Sequence, residues 1–300
     1  MSPAIVPFLW LDDQAVQAAE FYTQAFGDGR ILATSHYPAS FDNPTHKPRG
    51  SVATVDFEVL GRRFTALNGG PIFQINPSIS FFVQTETPAR TDALCAELGQ
   101  GGKFLMPPDK YPWSERYGWV QDRYGVSWQV MTGRRPPAGP AIIPCLMFAG
   151  AQQGRAEEAM KAYTAAFPDS RIVDIQRYGA DRGPEGKVVH GRFVLAGQDF
   201  TAMDSGEPRA DTFNEGLSFQ VLCQDQAEVD RYWRRLSQGG QTGDCGWLKD
   251  AFGLSWQIVP ARISEWMISP DTGASDRAFR AMLGMTKLDV AGLESAFAGR

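Results

Sequence analysis

Cysteine and histidine are scarce in this chain of 300 residues, at four and three respectively. Cys95, Cys145, Cys223 and Cys245 form no CxxC pair and no closely spaced set, which argues against a disulfide scaffold and a structural zinc site. Long hydrophobic runs are missing too; none approaches the roughly 20 residues that a membrane-spanning helix needs. The opening MSPAIVPFLW has no basic stretch ahead of an apolar one, so no signal peptide and a cytoplasmic location are expected. Basic residues number 29 against 34 acidic ones, for a net charge of -5, and they form no block. That is a poor footprint for a phosphate backbone, and no nucleic-acid or membrane partner is expected. No GxGxxG opens a helix after a strand, and no GxSxG occurs. GQGG at 99–102 follows a predicted helix and reads as its cap and turn.

What the chain does have is repetition. GWVQDRYGVSWQV (118–130) returns as GWLKDAFGLSWQI (246–258), FTALNGGP (64–71) as FTAMDSGE (200–207), and NPSISFFV (76–83) as NEGLSFQV (214–221). AFGDGRI (25–31) answers AFPDSRI (166–172), and VPFLWL (6–11) answers IPCLMF (143–148). Blocks kept in order mark a tandem duplication. The copies differ by insertions, His36 to Pro48 and Met106 to Glu115 in the first and Gly150 to Arg155 in the second, which are expected to be surface loops.

Each copy divides again by its apolar pattern. Alternation over Ile5–Leu11 predicts a strand. Ala15, Ala18, Ala19, Tyr22 and Phe26 at helical spacing predict a helix, with Asp12 or Asp13 as N-cap and Gly27 as stop. Strands Arg30–His36, Ser51–Val59 and Arg62–Leu67 follow, the last two joined by a tight turn at Leu60–Gly61. The second half repeats the order, with strand Ile79–Gln84, helix Pro88–Leu98 and strands near Lys103–Leu105, Tyr117–Gln121 and Val126–Met131. Copy two places helices at Arg155–Phe167 and Gln226–Leu236. The fold class is α+β: two duplicated domains, each of two βαβββ modules curving into a mixed sheet around a cavity, with C-terminal helices. The divisions are a first domain at 1–133, a Pro/Gly linker at 134–139, a second domain at 140–260 and a helical tail at 261–300. The tail predicts helices at Asp276–Leu283, capped by Ser275, and Asp289–Ala298, packed on the outside of the second domain.

Paired βαβββ units resemble the vicinal oxygen chelate superfamily, which includes glyoxalase I and the bleomycin- and fosfomycin-resistance proteins. PFLWLDDQAVQAAEFYTQAF, FTALNGGP, SISFFV and GWVQDRYGVSWQV are similar to its PhnB-like branch, described as a 3-demethylubiquinone-9 3-methyltransferase domain. The resemblance implies a cleft in which four strand positions hold a divalent ion through His, Gln or Glu, polarising neighbouring substrate oxygens. The methyltransferase description finds no support in the residues, since the Gly-rich first turn of a nucleotide-type sheet is missing.

At the strand positions the resemblance marks, copy one offers Pro7 or Leu9, Ala66 or Asn68, Ser78 or Ser80, and Gln129. Copy two offers Pro144 or Leu146, Ala202 or Asp204, Gly216 or Ser218, and Gln257. Amides and hydroxyls are weak ligands for first-row metals. No cofactor is therefore expected; a divalent metal begun by Asp204 and Gln257 is the alternative. Candidate catalytic side chains are His190, on a strand, and Cys245, in a Gly-rich turn beside Trp247. Candidate cleft residues are Trp10, Asn68, Ser80, Phe82, Trp113, Trp119 and Gln129 in copy one. In copy two they are Met147, His190, Asp204, Ser218, Gln220, Trp247 and Gln257. Trp128 and Trp256 alternate to the opposite face and are expected in the core.

Two functions remain open from the sequence. One is a module that binds a small aromatic or amphipathic molecule without turnover. The other is a metal-assisted isomerase, lyase or dioxygenase. The duplication also predicts an intrachain pseudo-dimer of the two domains, to which a homodimer could be added.

Overall fold

A computed structural model describes residues 2–133, 140–180 and 183–300; the predicted linker 134–139 lies outside them. Module one comprises strand β1 (Ala4–Leu11), helix α1 (Ala15–Phe26) and strands β2 (Gly29–His36), β3 (Val52–Val59) and β4 (Arg62–Asn68). Module two holds β5 (Ile79–Thr85), α2 (Pro88–Leu98), β6 (Lys103–Tyr111), β7 (Ser114–Gln121) and β8 (Ser127–Thr132). Module three holds β9 (Ile142–Phe148), α3 (Ala156–Ala166), β10 (Arg171–Arg177), β11 (Val188–Leu195) and β12 (Gln198–Asp204). Module four holds β13 (Leu217–Cys223), α4 (Gln226–Leu236), β14 (Gln241–Thr242), β15 (Trp247–Lys249) and β16 (Ser255–Pro260). The tail adds α5 (Ile263–Met267), α6 (Thr272–Leu283) and α7 (Val290–Ala298). No helix among the described residues is long and apolar enough to cross a membrane.

The strands form two eight-stranded sheets, ordered β14-β15-β16-β13-β1-β4-β3-β2 and β10-β11-β12-β9-β5-β8-β7-β6. Each sheet takes one module from each repeat. β1 runs antiparallel to β13 with Phe8 opposite Ser218, and β5 runs antiparallel to β9 with Ser80 opposite Cys145. The grouping of cleft residues by repeat is thereby corrected: modules one and four share one cup, modules two and three the other. The physical reason is that the two modules of one repeat already meet back to back through their helix-bearing faces. Phe64 of β4 lies 5.1 Å from Phe81 of β5, and Phe200 of β12 lies 5.6 Å from Phe219 of β13. With those faces buried together, the free edges of β1 and β5 are closed by strands of the other repeat.

The repeated GW…D…G-SW-Q block has a mechanical explanation in this shared core. Asp122 Oδ1 accepts from the backbone N–H groups of Tyr124 and Val126, and Oδ2 accepts from Tyr22 Oη of α1 and Trp128 Nε1. Asp250 repeats all four bonds with Phe252, Leu254, Tyr163 and Trp256. Gly125 and Gly253 take φ of 86° and 82° in these turns, a region that favours glycine. One carboxylate thus shapes the hairpin turn and ties it to the helix of the preceding module.

Several local expectations are revised. Asp12 and Asp13 do not cap α1; Gln14 is its N-cap without a side-chain bond, and Asn68 Oδ1 accepts from Ala15 N at 2.8 Å instead. Met106 to Glu115 is not a separate loop but lengthens the β6–β7 ribbon. In the tail, α6 starts at Thr272 with Asp271 accepting from Ala274 N, so Ser275 lies inside the helix and donates to the Trp266 carbonyl. The short α5 was not foreseen.

A roofed cavity over the first sheet

The helix-free face of the first sheet bounds a cavity of about 250 Å³. Its walls include Phe8 and Trp10 of β1, Leu67 of β4 and Trp247 of β15. Phe8 and Trp10 both meet Trp247 edge-on, at 5.8 and 6.0 Å between centroids. Alternation along β1 sends Leu9 the other way, into the shared core.

A line of polar side chains crosses the floor on β3, β4, β13 and β16, with β1 between β4 and β13. Thr65 Oγ1 of β4 donates to Asp56 Oδ1 of β3 at 2.6 Å and lies 3.4 Å from Gln220 Oε1 of β13. Gln220 Nε2 donates to Gln257 Oε1 of β16 at 3.2 Å, and Gln257 Nε2 donates to Ser218 Oγ at 3.0 Å. Gln257 is therefore held at both ends, as a buried amide must be. The roof comes from segments without a counterpart in the other repeat. Ile263, Ser264, Met267 and Ile268 of the α5 region and Phe279, Met282 and Leu283 of α6 line it, with Tyr37, Pro44 and Thr45 of the first repeat's insertion. Phe279 packs edge-on against Tyr37 and Phe41, and Asp276 accepts from Ser40 N. The α5 and α6 part of the tail thus covers a cup, while the approach to α7 lies against α4 of the second domain, where Gln226 donates to the Leu288 carbonyl and accepts from Val290 N. It docks where module four has only the short β14 and β15: Cys245 N and Gly246 N donate to the carbonyls of Met285 and Thr286.

The second sheet lines its own cup with aromatic and methionine side chains. Tyr117, Trp119 and Met147 are buried together, with Phe82, Met106, Tyr111, Met131 and Met203 packed on them. Gln129 accepts from Tyr117 Oη at 2.6 Å and donates to Ser80 Oγ at 2.8 Å. Trp119 Nε1 donates to Ser127 Oγ. His190 meets the Phe82 ring edge-on, and burial pulls its pKa down, favouring the neutral imidazole. The difference between the cups is readable at paired positions. Tyr117 and Phe82 stand in the second cup where the first has Cys245 and Gln220.

The predicted site residues therefore separate into groups. Trp10, Gln220, Trp247 and Gln257 line the roofed cavity, with Ser218 holding Gln257 from the next strand. Ser80, Phe82, Trp119, Gln129, Met147 and His190 belong to the second cup. Trp113 is exposed at the tip of the β6–β7 ribbon, stacked on Tyr111. Asn68 and Asp204 face neither cup: they accept from the first backbone N–H of α1 and α3, Ala15 and Ala156, and Asp204 also holds Val188 N. Cys245 does border the cavity, but burial, and then the charge of Asp244, push its thiol up to about 11, leaving little thiolate at neutral pH. Sequence reasoning missed Asp56, Thr65, Phe8 and the roof. An acid inside the apolar run VATVDFEV was a usable signal for Asp56; nothing local pointed the tail at this cup.

A divalent ion does not fit the donors present. The cavity-facing positions on β1, β4, β13 and β16 carry two aromatic rings, a hydroxyl, two aliphatic side chains and two mutually bonded amides, and Asp56 of β3 is the single carboxylate on the described wall. Among the described residues, no group of three or more His, Cys, Asp or Glu is arranged to hold a metal. The proposed pair Asp204 and Gln257 is excluded as one site by topology, since β12 and β16 belong to different sheets.

The comparisons with known proteins bear on this fold. The family model described as 3-demethylubiquinone-9 3-methyltransferase matches residues 3–131 and again residues 140–259. The chain belongs to this family. A PhnB protein from Bacillus cereus is 32% identical over 43% of this chain and 98% of its own, with a TM-score of 0.39. A protein from Pseudomonas aeruginosa is 22% identical over 42% of this chain and 93% of its own, with a TM-score of 0.35. Glyoxalase I from Zea mays is 11% identical but matches 86% of this chain and 93% of its own, at a TM-score of 0.56. That last likeness shows a fold shared with glyoxalase I that spans both repeats. No curated protein matches.

Proposed function

We propose that this family member binds a small aromatic or amphipathic molecule in the roofed cavity of the first sheet, without a chelating metal. The observation that carries the reading is the cavity itself: aromatic walls, an amide and hydroxyl floor, and a roof built from the chain's own tail. Mostly apolar walls with a few placed polar groups are the usual make-up of a small-molecule site. A volume of about 250 Å³ falls just under the roughly 300–1,000 Å³ of drug-sized sites. This suits a single-ring compound better than a whole nucleoside-bearing methyl donor. The second cup, packed with Tyr117, Trp119 and Met147, serves as scaffold.

The test uses tryptophan fluorescence and calorimetry with a panel of single-ring compounds, with and without chelator. Binding should quench the emission of Trp10 and Trp247 and be indifferent to chelator. Trp10→Ala and Trp247→Ala should each weaken it about tenfold or more, as expected for lost aromatic anchors. Affinity that appears only when a divalent ion is added would replace this reading with a metal-assisted reaction. No binding by any member would refute it.

A further inference from the structure

We propose that the ligand is a cation, a small amine on an aromatic or apolar body, with its ammonium group placed at Asp56. The inference rests on the cavity reading above and deepens it. Asp56 is the one formally charged side chain among the described residues that line the cavity. It sits on the floor with its side chain only 10% exposed. Its two oxygens differ. Oδ1 accepts a short bond from Thr65 Oγ1 at 2.6 Å. Oδ2 has only Ser264 Oγ at 3.4 Å and the Arg63 guanidinium at 3.8 Å.

Charge-assisted bonds to a carboxylate normally close to about 2.7–2.9 Å, so Oδ2 lacks a close donor while standing largely out of water. A carboxylate in that condition is costly until a donor reaches it. Its surroundings suit a cation. Thr65 stands between it and Phe8 on the floor, since Thr65 is the ladder partner of both Asp56 and Phe8. Trp10, Trp247, Tyr37 and Phe279 supply further aromatic wall, and aromatic faces attract cations. An anionic ligand would meet Asp56 with no cation among the described wall residues to offset it. Arg63, nearly half exposed, is the competitor for Oδ2.

Three matched probes test the assignment by calorimetry on the full chain: 2-phenylethylamine, 2-phenylethanol and phenylacetate. The amine should bind about tenfold or more tighter than the alcohol, the gain expected of one charge-assisted bond, and phenylacetate most weakly. Asp56→Asn should abolish the amine's advantage over the alcohol. Arg63→Gln, which keeps Asp56 intact, should widen the amine's advantage. Equal affinity for amine and alcohol, a preference for phenylacetate, or a preference that survives Asp56→Asn would overturn the charge assignment and leave the cavity reading standing. Failure of all three probes would remove both.

Discussion

At the scale of single residues, the duplicated aspartates show how a repeated motif can serve the fold. Asp122 and Asp250 each accept four hydrogen bonds in the core, yet burial still outweighs those donors and raises both carboxyls, Asp122 to about 6 from an ordinary 3.8. The native state therefore takes up a proton at Asp122 before the unfolded chain does. The stability this group contributes is fully present below about 4 and is lost as pH rises through about 6. Asp122→Asn leaves Trp128 N–H and Tyr22 O–H facing an amide where Oδ2 stood. The substitution should cost roughly 1–3 kcal/mol, the range for orphaned buried donors, and flatten the pH dependence between 4 and 6. Urea unfolding across that range checks both, and a variant as stable as the parent with the same slope contradicts the account. The sequence already placed Trp128 and Trp256 opposite Gln129 and Gln257, because strand alternation is local. It could not show that Asn68 and Asp204 turn away to meet helix ends, because a cap supplied by a distant strand leaves no mark near the helix.

Among elements, the informative ones are those that differ between repeats. The long β6–β7 ribbon belongs to the second cup, and the tail roofs the first. Tail residues Ile263, Trp266, Ala278, Leu288 and Leu293 form a small core with Val259 of β16, separate from the main one. Trp266, 2% exposed, is its largest member. Because that core is separate, Trp266→Ala should loosen α5 to α7 while sparing the sheets. The local cost is roughly 3–5 kcal/mol, typical of a buried tryptophan truncated to alanine. Hydrogen exchange should speed up in the tail and stay slow in α1 and α3; loss of protection in the sheets as well would show that the roof is integral to the fold. The sequence supplied two of the three tail helices from their apolar spacing. The short α5 has too few residues to set up a period, and the cup that the tail covers depends on contacts with Tyr37 and Phe41 far away in the chain.

For the molecule as a whole, the exchange of modules between repeats has a mechanical consequence. Each sheet contains strands from both sides of the 134–139 segment. A protease site engineered between Gly133 and Pro140 should, once cut, leave two fragments that co-elute in native buffer and part only in denaturant. Free fragments after cutting would mean that each repeat forms its own sheet. The same exchange explains why a list of cleft residues drawn up repeat by repeat mixed two different surfaces.

The sequence by itself determined the duplication, the βαβββ order, the alternation of faces along each strand and the lack of imidazoles at the metal positions. All of these are written in spacing and residue type over short stretches. Only the tertiary structure decided which modules share a sheet and which cup the tail covers. Strand edges pair through backbone groups that every residue carries, so the ladder between β1 and β13 has no signature in either strand. The partner is chosen by the packing of the faces behind it.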